Sequence, residues 1–475
     1  MNKDSSTKKE KDLRKNEFTK YIKLFYDNST NLDEELEIRF GTKGIKKITR
    51  TNFDNVIQYI KSKGFKLQEK TETLKIQPEV LDKRSGMMRI SNIRVEVNGI
   101  KNIQNYCKTN SIVKLGTDIV DKGITFNMKK NIYDKITNKK LAPINYNDMN
   151  FRVSYQQEQN ISANEGYINQ IIKDWDNRKK LYRFVTRYSY ILYENPEYSS
   201  LPIRIDLSIV KSSSKNTRGN LVPTYKIDES NVFDNTETYE IELELLKHQG
   251  SIYDSKIENE LRKVIKYILS GLQETNYPLS YDILKNVSKE YYRLIYGAVE
   301  DFKFLRPSNF IGPSSISLEL KHLQKGKNFE NLPNINKGYC ITDKADGLRK
   351  LMFIASNGYI YLLNMMLEPQ FTGLICNDKE LFNSLLDGEH IMYDKNNEFI
   401  NLYAIFDIYF INGEDKRNLV FIKTNESYDE PTLFRHNLLV SFVKSLKTTP
   451  VSSFGKPLNI KKKEFYIQTG KDGRE

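Results

Sequence analysis

The chain has 475 residues and a formal charge of +13, from 74 basic and 61 acidic side chains, so it is too long for one ordinary domain and two or three are expected. No apolar run approaches the roughly 20 residues of a membrane helix, so no membrane partner is expected. The three cysteines (Cys107, Cys340, Cys376) and four histidines (His248, His322, His390, His436) are scattered, which argues against a disulfide framework or a zinc site and points to a reducing compartment.

The positive balance fits a polyanionic partner, but a lysine-rich composition gives the same sign, so charge alone decides little. The N-terminus is basic without an apolar segment, which excludes a secretory signal. Residues 1–15 are expected as a basic, disordered tail. Helical spacing follows over 17–30 (Phe18, Tyr21, Ile22, Leu24, Phe25) and over 52–63 (Phe53, Val56, Ile57, Ile60), ending at Gly64. Strand-like alternation then dominates to about 246, with a Ser/Asn/Asp-rich loop over 212–236. Helical periodicity returns over 254–298 (Ile257, Leu261, Val264, Ile265, Ile268, then Ile283, Leu284, Val287, Tyr291). The expected organisation is a first domain over 16–250, a helical linker over 251–300 and a mixed α/β domain over 301–475. No internal repeat is present.

Within the first domain, Glu35-Leu36-Glu37-Ile38-Arg39-Phe40 alternates strictly. Period two places Glu35, Glu37 and Arg39 on one face and the apolar residues on the other. Later, Tyr239-Glu240-Ile241-Glu242-Leu243-Glu244-Leu245 puts three glutamates on one face. Carboxylates about 7 Å apart along a strand repel, and a divalent cation or facing basic groups would relieve this. Basic strands supply such groups. Arg204 and Asp206 share a face, as do Arg152, Ser154 and Glu158, and Arg183 and Arg187. Arg89, Arg94 and Glu96 lie on a further hairpin. Either Lys129 or Lys130 points inward, and the sequence leaves open which. One such strand reads most simply as half-exposed with a solvated charged face. Strand after strand of it indicates a barrel with a polar lining and an apolar outside.

The Glu-x-Glu-x-Arg strand and the later Glu-x-Glu-x-Glu strand resemble the metal-binding strands of the triphosphate tunnel metalloenzymes. The spacing of Arg152, Ser154 and Glu158 is similar to that family's RNA triphosphatase branch. The resemblance implies Glu35, Glu37, Glu240, Glu242 and Glu244 as ligands of Mg²⁺ or Mn²⁺. It implies Arg39, Arg152, Arg183, Arg187 and Arg204 as triphosphate clamps, with Asp206 orienting a neighbour and Glu158 positioning the attacking water.

Residues 342–349 carry the second signal, Lys344-Ala345-Asp346-Gly347-Leu348-Arg349. Apolar residues flank it (Tyr339, Cys340, Ile341 before; Leu351 to Ile354 after), which predicts a strand, a tight loop bending at Gly347 and a returning strand. An ordinary lysine is protonated at neutral pH and a poor nucleophile, and a nearby cation such as Arg349 favours its neutral form. On its own, Asp-Gly is a common surface turn. Leu385-Leu386-Asp387-Gly388-Glu389-His390 and the apolar strand Leu402–Ile411 with Phe406 and Asp407 follow in order. This succession resembles the motifs of covalent nucleotidyltransferases. Phe310-Ile311-Gly312-Pro313 with Ser317-Leu318-Glu319 is similar to the capping guanylyltransferases of large cytoplasmic DNA viruses.

The resemblance implies that Lys344 forms a lysyl-GMP phosphoramidate from GTP, with Asp346, Gly347, Arg349 and Glu389 at the nucleotide (Arg349 and Glu389 on its ribose or a metal) and Phe406 stacking on guanine. The family's next E/D-G and K-x-K strands do not appear in order before Glu475, and Lys461, Lys462 and Lys463 lack the setting of the last. The second domain is therefore expected to be truncated and the chain a fragment of a larger protein.

The two halves together resemble poxvirus-like mRNA capping enzymes, over about residues 32–247 and 305–475. The expected class is α+β, an antiparallel β-barrel tunnel followed by a partial covalent nucleotidyltransferase domain. The expected activity is removal of the γ-phosphate from 5′-triphosphate RNA, then GMP transfer. A methyltransferase domain or subunit beyond this stretch and a cytoplasmic site (a viral factory or virion) go with that reading. Rival readings are an ATP-dependent nucleic-acid ligase, a non-catalytic polyphosphate- or RNA-binding tunnel protein, and a polyphosphate-handling tunnel enzyme.

Overall fold

The computed structural model describes residues 2–28, 31–42, 44–82, 85–112, 123–135, 137–162, 165–192, 203–247, 251–297, 302–324, 334–335, 339–422, 434–452 and 456–467. The chain divides into two compact units, 1–273 and 274–475.

The first unit is built on ten strands: β1 (Glu34–Phe40), β2 (Phe65–Leu81), β3 (Met88–Ile90), β4 (Ile93–Asn98), β5 (Ile124–Asn131), β6 (Ile144–Tyr146), β7 (Phe151–Ile161), β8 (Lys180–Leu192), β9 (Ile203–Ser212) and β10 (Thr238–Leu245). Eight of them close in the order β1-β10-β9-β8-β2-β4-β5-β7, and β7 pairs back to β1. All these pairings are antiparallel. Closure removes the free edges that an open sheet would expose. The helices α1 (Asn2–Asp27), α2 (Arg50–Ser62), α3 (Ile100–Thr109), α4 (Gly166–Lys173) and α5 (Ser255–Gln273) belong to this unit.

The period-two pattern sets which side of each strand is dry. Leu36, Ile38 and Phe40 point outward into a core shared with Phe18, Ile22 and Phe25 of α1, Phe53, Val56 and Ile60 of α2, and Leu261, Val264 and Ile268 of α5. A second outer core joins Leu74, Ile76, Val95, Val97 and Phe126 to Ile103, Tyr106, Ile168 and Trp175. Burying an apolar side chain contributes about 1.5–3 kcal/mol, so the helical jacket holds the barrel from outside and leaves its interior to polar groups. The α2–α5 contact is close: a Cβ on Gly271 would lie 2.7 Å from the Cα of Val56. Helix α2 starts at a reciprocal cap between Thr49 and Asn52.

Two expectations change here. Helix α1 continues through the stretch expected as a tail. Residues 251–300 are not a free linker either. Their first helix, α5, is part of the barrel's jacket because its apolar stripe finishes that core, and the next, α6 (Tyr281–Tyr296), belongs to the second unit.

The second unit contains β11 (Cys340–Ile341), β12 (Leu348–Ile354), β13 (Tyr359–Leu363), β14 (Pro369–Cys376), β15 (Ser384–Tyr393), β16 (Phe399–Ile411), β17 (Glu414–Asp415), α7 (Arg435–Ser445), β18 (Thr448–Pro450), β19 (Asn459–Lys462) and β20 (Tyr466–Ile467). Its main sheet runs β17-β16-β15-β12-β13-β14-β18, with β19 parallel to β16. Alternation along β12 serves two cores. Met352 and Ile354 join α7 residues Leu439 and Phe442, while Leu351 and Phe353 join α6 residues Leu284, Val287 and Tyr291.

The strand–loop–returning-strand expectation around Lys344 is corrected. β12 pairs with β15 along its length and with β13 over Leu351–Ile354, while β11 pairs with β20 and not with β12.

Candidate active sites

The barrel holds a cavity of about 320 Å³ lined mostly by charged side chains. Register explains how they meet. Glu37 on β1 lies opposite Glu244 on β10 and Ser154 on β7; Arg39 lies opposite Glu242 and Arg152. Glu242 in turn faces Asp206, Glu244 faces Arg204, and Arg187 faces Ser208. Directly opposed like charges destabilise a sheet, so Glu37–Glu244 and Arg39–Arg152 are kept only because other groups neutralise them.

Ion pairs along the inner wall do this, between residues of the same, adjacent or next-but-one strands. Arg39 bridges Glu37 (2.9 Å) and Glu242 (2.6 Å), and Lys129 reaches Glu35 (3.0 Å), Glu158 (3.1 Å) and Glu37 (3.3 Å). Arg183 holds Glu240 at 2.8 Å, Arg187 holds Glu242 at 3.3 Å, and Arg204 pairs with Glu244. Asp206 is buried behind this layer and accepts from Ser189 (2.7 Å) and Arg204 (3.2 Å), with Arg187 3.3 Å away. Arg152 donates to Asn145 at 2.9 Å, and among the described residues it has no carboxylate within ion-pair distance.

Every residue expected in the tunnel lines it except Asp206, which supports two that do. The structure also resolves the lysine ambiguity: Lys129 points in, while Lys130 points out to Gln159. Lys75, Arg94, Glu96 and Gln156 line the cavity too. Lys75 pairs with Glu96 at 3.0 Å, and burial lowers its pKa despite that partner. Its signal is present in Leu74-Lys75-Ile76, an inward cation between two outward apolar residues, but neighbouring charges at Lys70 and Glu72 obscure it.

Whether the glutamate wall suits a divalent cation is decided by its donors. They are carboxylate oxygens, the hard ligands that Mg²⁺ and Mn²⁺ prefer. Burial, followed by the charges of Glu158 and Glu244, pushes Glu35 up to about 8 against the pull of Lys129. Burial, followed by Glu242, raises Glu37, and burial with help from Asp206 and Glu37 pushes Glu244 up to about 7. Burial also opposes ionisation of Glu242, but Arg39, Arg187, Lys129 and Lys75 hold it down at about 2. Crowded, desolvated carboxylates of this kind are those a cation would relieve. In the present geometry basic side chains do so, and among the described residues no three carboxylate, histidine or cysteine side chains converge on one point.

In the second unit Lys344 lies in the irregular segment between β11 and β12, its side chain 90 % exposed, 3.3 Å from Asp346. Gly347 donates its N–H to Glu389 at 3.2 Å, and a Cβ there would sit 2.8 Å from the Cγ of Glu389 and from the carbonyl oxygen of His390, so only glycine lets the loop close on β15. Arg349 faces Glu389 across the β12–β15 ladder. Its guanidinium forms a two-pronged pair with buried Asp387 (3.1 and 2.5 Å), donates to the Pro313 carbonyl at 2.6 Å, and lies between the rings of Phe310 (5.3 Å) and Phe406 (5.7 Å). Tyr409 donates to Asp387 at 2.7 Å. Asp387 and Phe310 are thus the supports of Arg349, and both stood in the motifs without a role. A Cβ on Gly312 would come within 2.3 Å of the Arg349 guanidinium.

Behind this face, buried Lys350 donates to Gln370 at 2.6 Å and lies 3.2 Å from His390 Nδ1, whose Nε2 is 2.9 Å from Asn401. Burial, and then the Lys350 cation, push His390 down to about 4. The unfolded chain, with an ordinary value near 6.5, therefore takes up this proton first as pH falls. The contribution of His390 to stability should fall through the window from about 6.5 to about 4, by about 3 kcal/mol at its lower end, opposite in sign to the contributions of Glu35 and Glu244. Chemical denaturation of the wild type and of a His390→Gln protein at pH 7 and pH 4.5 checks this: the change on acidification should be less favourable in the wild type, and equal changes would contradict it.

Residues 277–471 match the family described as mRNA capping enzyme, catalytic domain. A curated relative, the "Probable mRNA-capping enzyme" of Acanthamoeba polyphaga mimivirus, is 31 % identical over 237 residues. Over these stretches the chain is similar to viral mRNA capping enzymes. The aligned stretch covers 50 % of the chain and 16 % of that relative, so the chain spans only a small part of its length. Among solved structures, the mimivirus capping enzyme RNA triphosphatase domain aligns over 53 % of the chain and 96 % of its own, at 19 % identity and a TM-score of 0.33. An RNA triphosphatase from S. pombe aligns over 49 % and 77 %, at 14 % identity and a TM-score of 0.26.

Proposed function

We propose that the chain carries out the first two steps of mRNA 5′ capping: hydrolysis of the γ-phosphate from 5′-triphosphate RNA, then guanylyl transfer. The observation that carries this reading is the closed barrel with glutamates and basic side chains interleaved on its inner wall, in one chain with the Lys344 motif. The match of residues 277–471 to capping enzymes supports the second half.

In the tunnel, Arg39, Arg152, Arg183, Arg187 and Arg204 would grip the phosphate chain, since planar guanidiniums bind phosphate oxygens in pairs. Glu35, Glu37, Glu240, Glu242 and Glu244 would hold Mg²⁺ or Mn²⁺, which when bound neutralises charge developing on the phosphate oxygens. Lys129 and Arg94 favour the ionised form of Glu158 against its burial. Glu158 would orient a water on the γ-phosphorus, the new P–O bond forming as the bond to the β–γ bridge oxygen breaks.

In the second unit, Lys344 Nζ would attack the α-phosphorus of GTP. A P–N bond forms as pyrophosphate leaves, and GMP then passes to the diphosphate RNA end. Asp346, Gly347, Arg349, Glu389 and Phe406 are the proposed nucleotide contacts, with Phe406 and Phe310 supplying aromatic faces beside Arg349. A methyltransferase domain or subunit would follow in the pathway, and a cytoplasmic viral factory fits the mimivirus relative.

Binding of 5′-triphosphate RNA should weaken steeply with salt, because each phosphate gripped by a basic side chain releases counterions. A titration at several salt concentrations tests this, and a flat response would contradict the polyanion reading. Metal-dependent phosphate release, the direct test of the tunnel, is developed in the Discussion.

A further inference from the structure

Strand β2 is much longer than the barrel wall needs. It pairs with β4 only over Thr73–Ile76 and with β8 only as far as Pro78, then continues to Leu81 as one arm of a hairpin whose other arm is β3. Alternation carries through the strand. Leu74, Ile76 and Val80 pack in the outer core, so Lys75, Gln77, Glu79 and Leu81 share the tunnel-side face. Leu81 lies opposite Met88, which places Met88 on that face as well.

The hairpin therefore continues the tunnel wall beyond the end where Lys75, Arg94, Arg152 and Arg183 line the cavity. It presents an apolar surface that the tunnel reaction does not use. Leu81 is 58 % exposed, Met88 50 % and Met87 71 %, and Arg89 beside them pairs with Asp82 at 3.4 Å.

We propose that this hairpin is a ledge for the first nucleotides of the RNA, with bases resting on Leu81, Met87 and Met88 while the 5′-triphosphate lies in the tunnel. This rests on the triphosphatase reading and deepens it. The occupant follows from continuity. Arg94 adjoins Val95, the partner of Ile76, so a chain leaving the tunnel at that rung runs on along the Gln77, Glu79, Leu81 face, and its bases are flat groups that methionine sulfur and apolar side chains accept; Arg89, opposite Val80, lies on the other face of the hairpin. Length makes the ledge selective. Arg187 is level with Thr71, and ten residues of strand separate Thr71 from Leu81, about 33 Å at the usual rise. A nucleoside triphosphate anchored at Arg187 ends short of the ledge, whereas an RNA several nucleotides long reaches it.

The test compares the full chain with a Leu81→Ser/Met88→Ser variant, both changes being on exposed positions. γ-Phosphate release is measured on GTP and on 5′-triphosphate RNAs of increasing length. The expected result is a KM for longer RNA raised about fivefold, the loss of a methionine contact to one base, with kcat unchanged and KM for GTP unchanged. An unchanged KM for RNA in an active protein overturns the ledge. Should the wild type release no phosphate from either substrate, the tunnel reading fails separately. Anisotropy of a fluorescent single-stranded RNA then decides the ledge: weaker binding by the variant supports it, and equal binding removes it.

Discussion

A Glu37→Ala protein is expected to release γ-phosphate from 5′-triphosphate RNA at least about 100-fold more slowly than the wild type, while staying folded. Glu37 sits at the centre of the charged wall, opposite Glu244, bridged by Arg39 and touched by Lys129. Removing it takes one oxygen ligand from the proposed cation site and frees Arg39 from one of its restraints. The fold should survive because Arg39 keeps Glu242, and Lys129 keeps Glu35 and Glu158. Glu242→Ala should be as damaging to activity but is the less clean probe, since Glu242 also anchors Arg187. Phosphate release is measured with Mg²⁺, with Mn²⁺ and with a chelator. Metal-independent release, or equal rates in the two proteins, would remove the glutamate wall from the chemistry.

Lys344→Ala is expected to abolish covalent labelling by GTP and to leave phosphate release from RNA unchanged. The lysine is almost fully exposed and, among the described residues, its close ionic partner is Asp346, so its loss costs little packing. The two sites lie in separate compact units, which is why one activity should persist without the other. The assay is transfer of label from radioactive GTP to the protein, with ATP alongside. Labelling by ATP in place of GTP would favour the ligase reading. A wild-type chain labelled by neither would remove the nucleophile role of Lys344 from this chain, and labelling retained in the variant would assign the nucleophile to another lysine.

Much of the tunnel is legible in the chain because a β-strand writes its two faces into alternate residues. Glu35, Glu37, Arg39, Glu240, Glu242, Glu244, Arg183, Arg187 and Arg204 could each be assigned to an inner face from their own neighbours. Lys129 could not, since Lys130 beside it has the same chemistry and the choice is made by the pairing of β5 with Glu158 on β7. Lys75 escaped assignment for a related reason: its strand carries charges on both faces, and only the outer core around Leu74 and Ile76 shows which are inside. Arg94 and Glu96, alternating with Ile93, Val95 and Val97, were assignable to an inner face by the same rule.

In the second unit the order of motifs was readable, but their wiring was not. That Arg349 would lie between Phe310 and Phe406 and be gripped by Asp387 depends on residues 39, 57 and 38 positions away. Local pattern carries no information about such partners.

The strand faces, the class of chemistry on them and the succession of a carboxylate–arginine barrel and a lysine motif were written in the chain, because these depend on residue type and short-range periodicity. That β7 closes on β1, that α5 joins the barrel's jacket, that β11 pairs with β20 instead of β12, and which carboxylate each cation meets came from the folded molecule alone. Those outcomes depend on register between distant segments, and register is set by the burial of whole apolar faces at once.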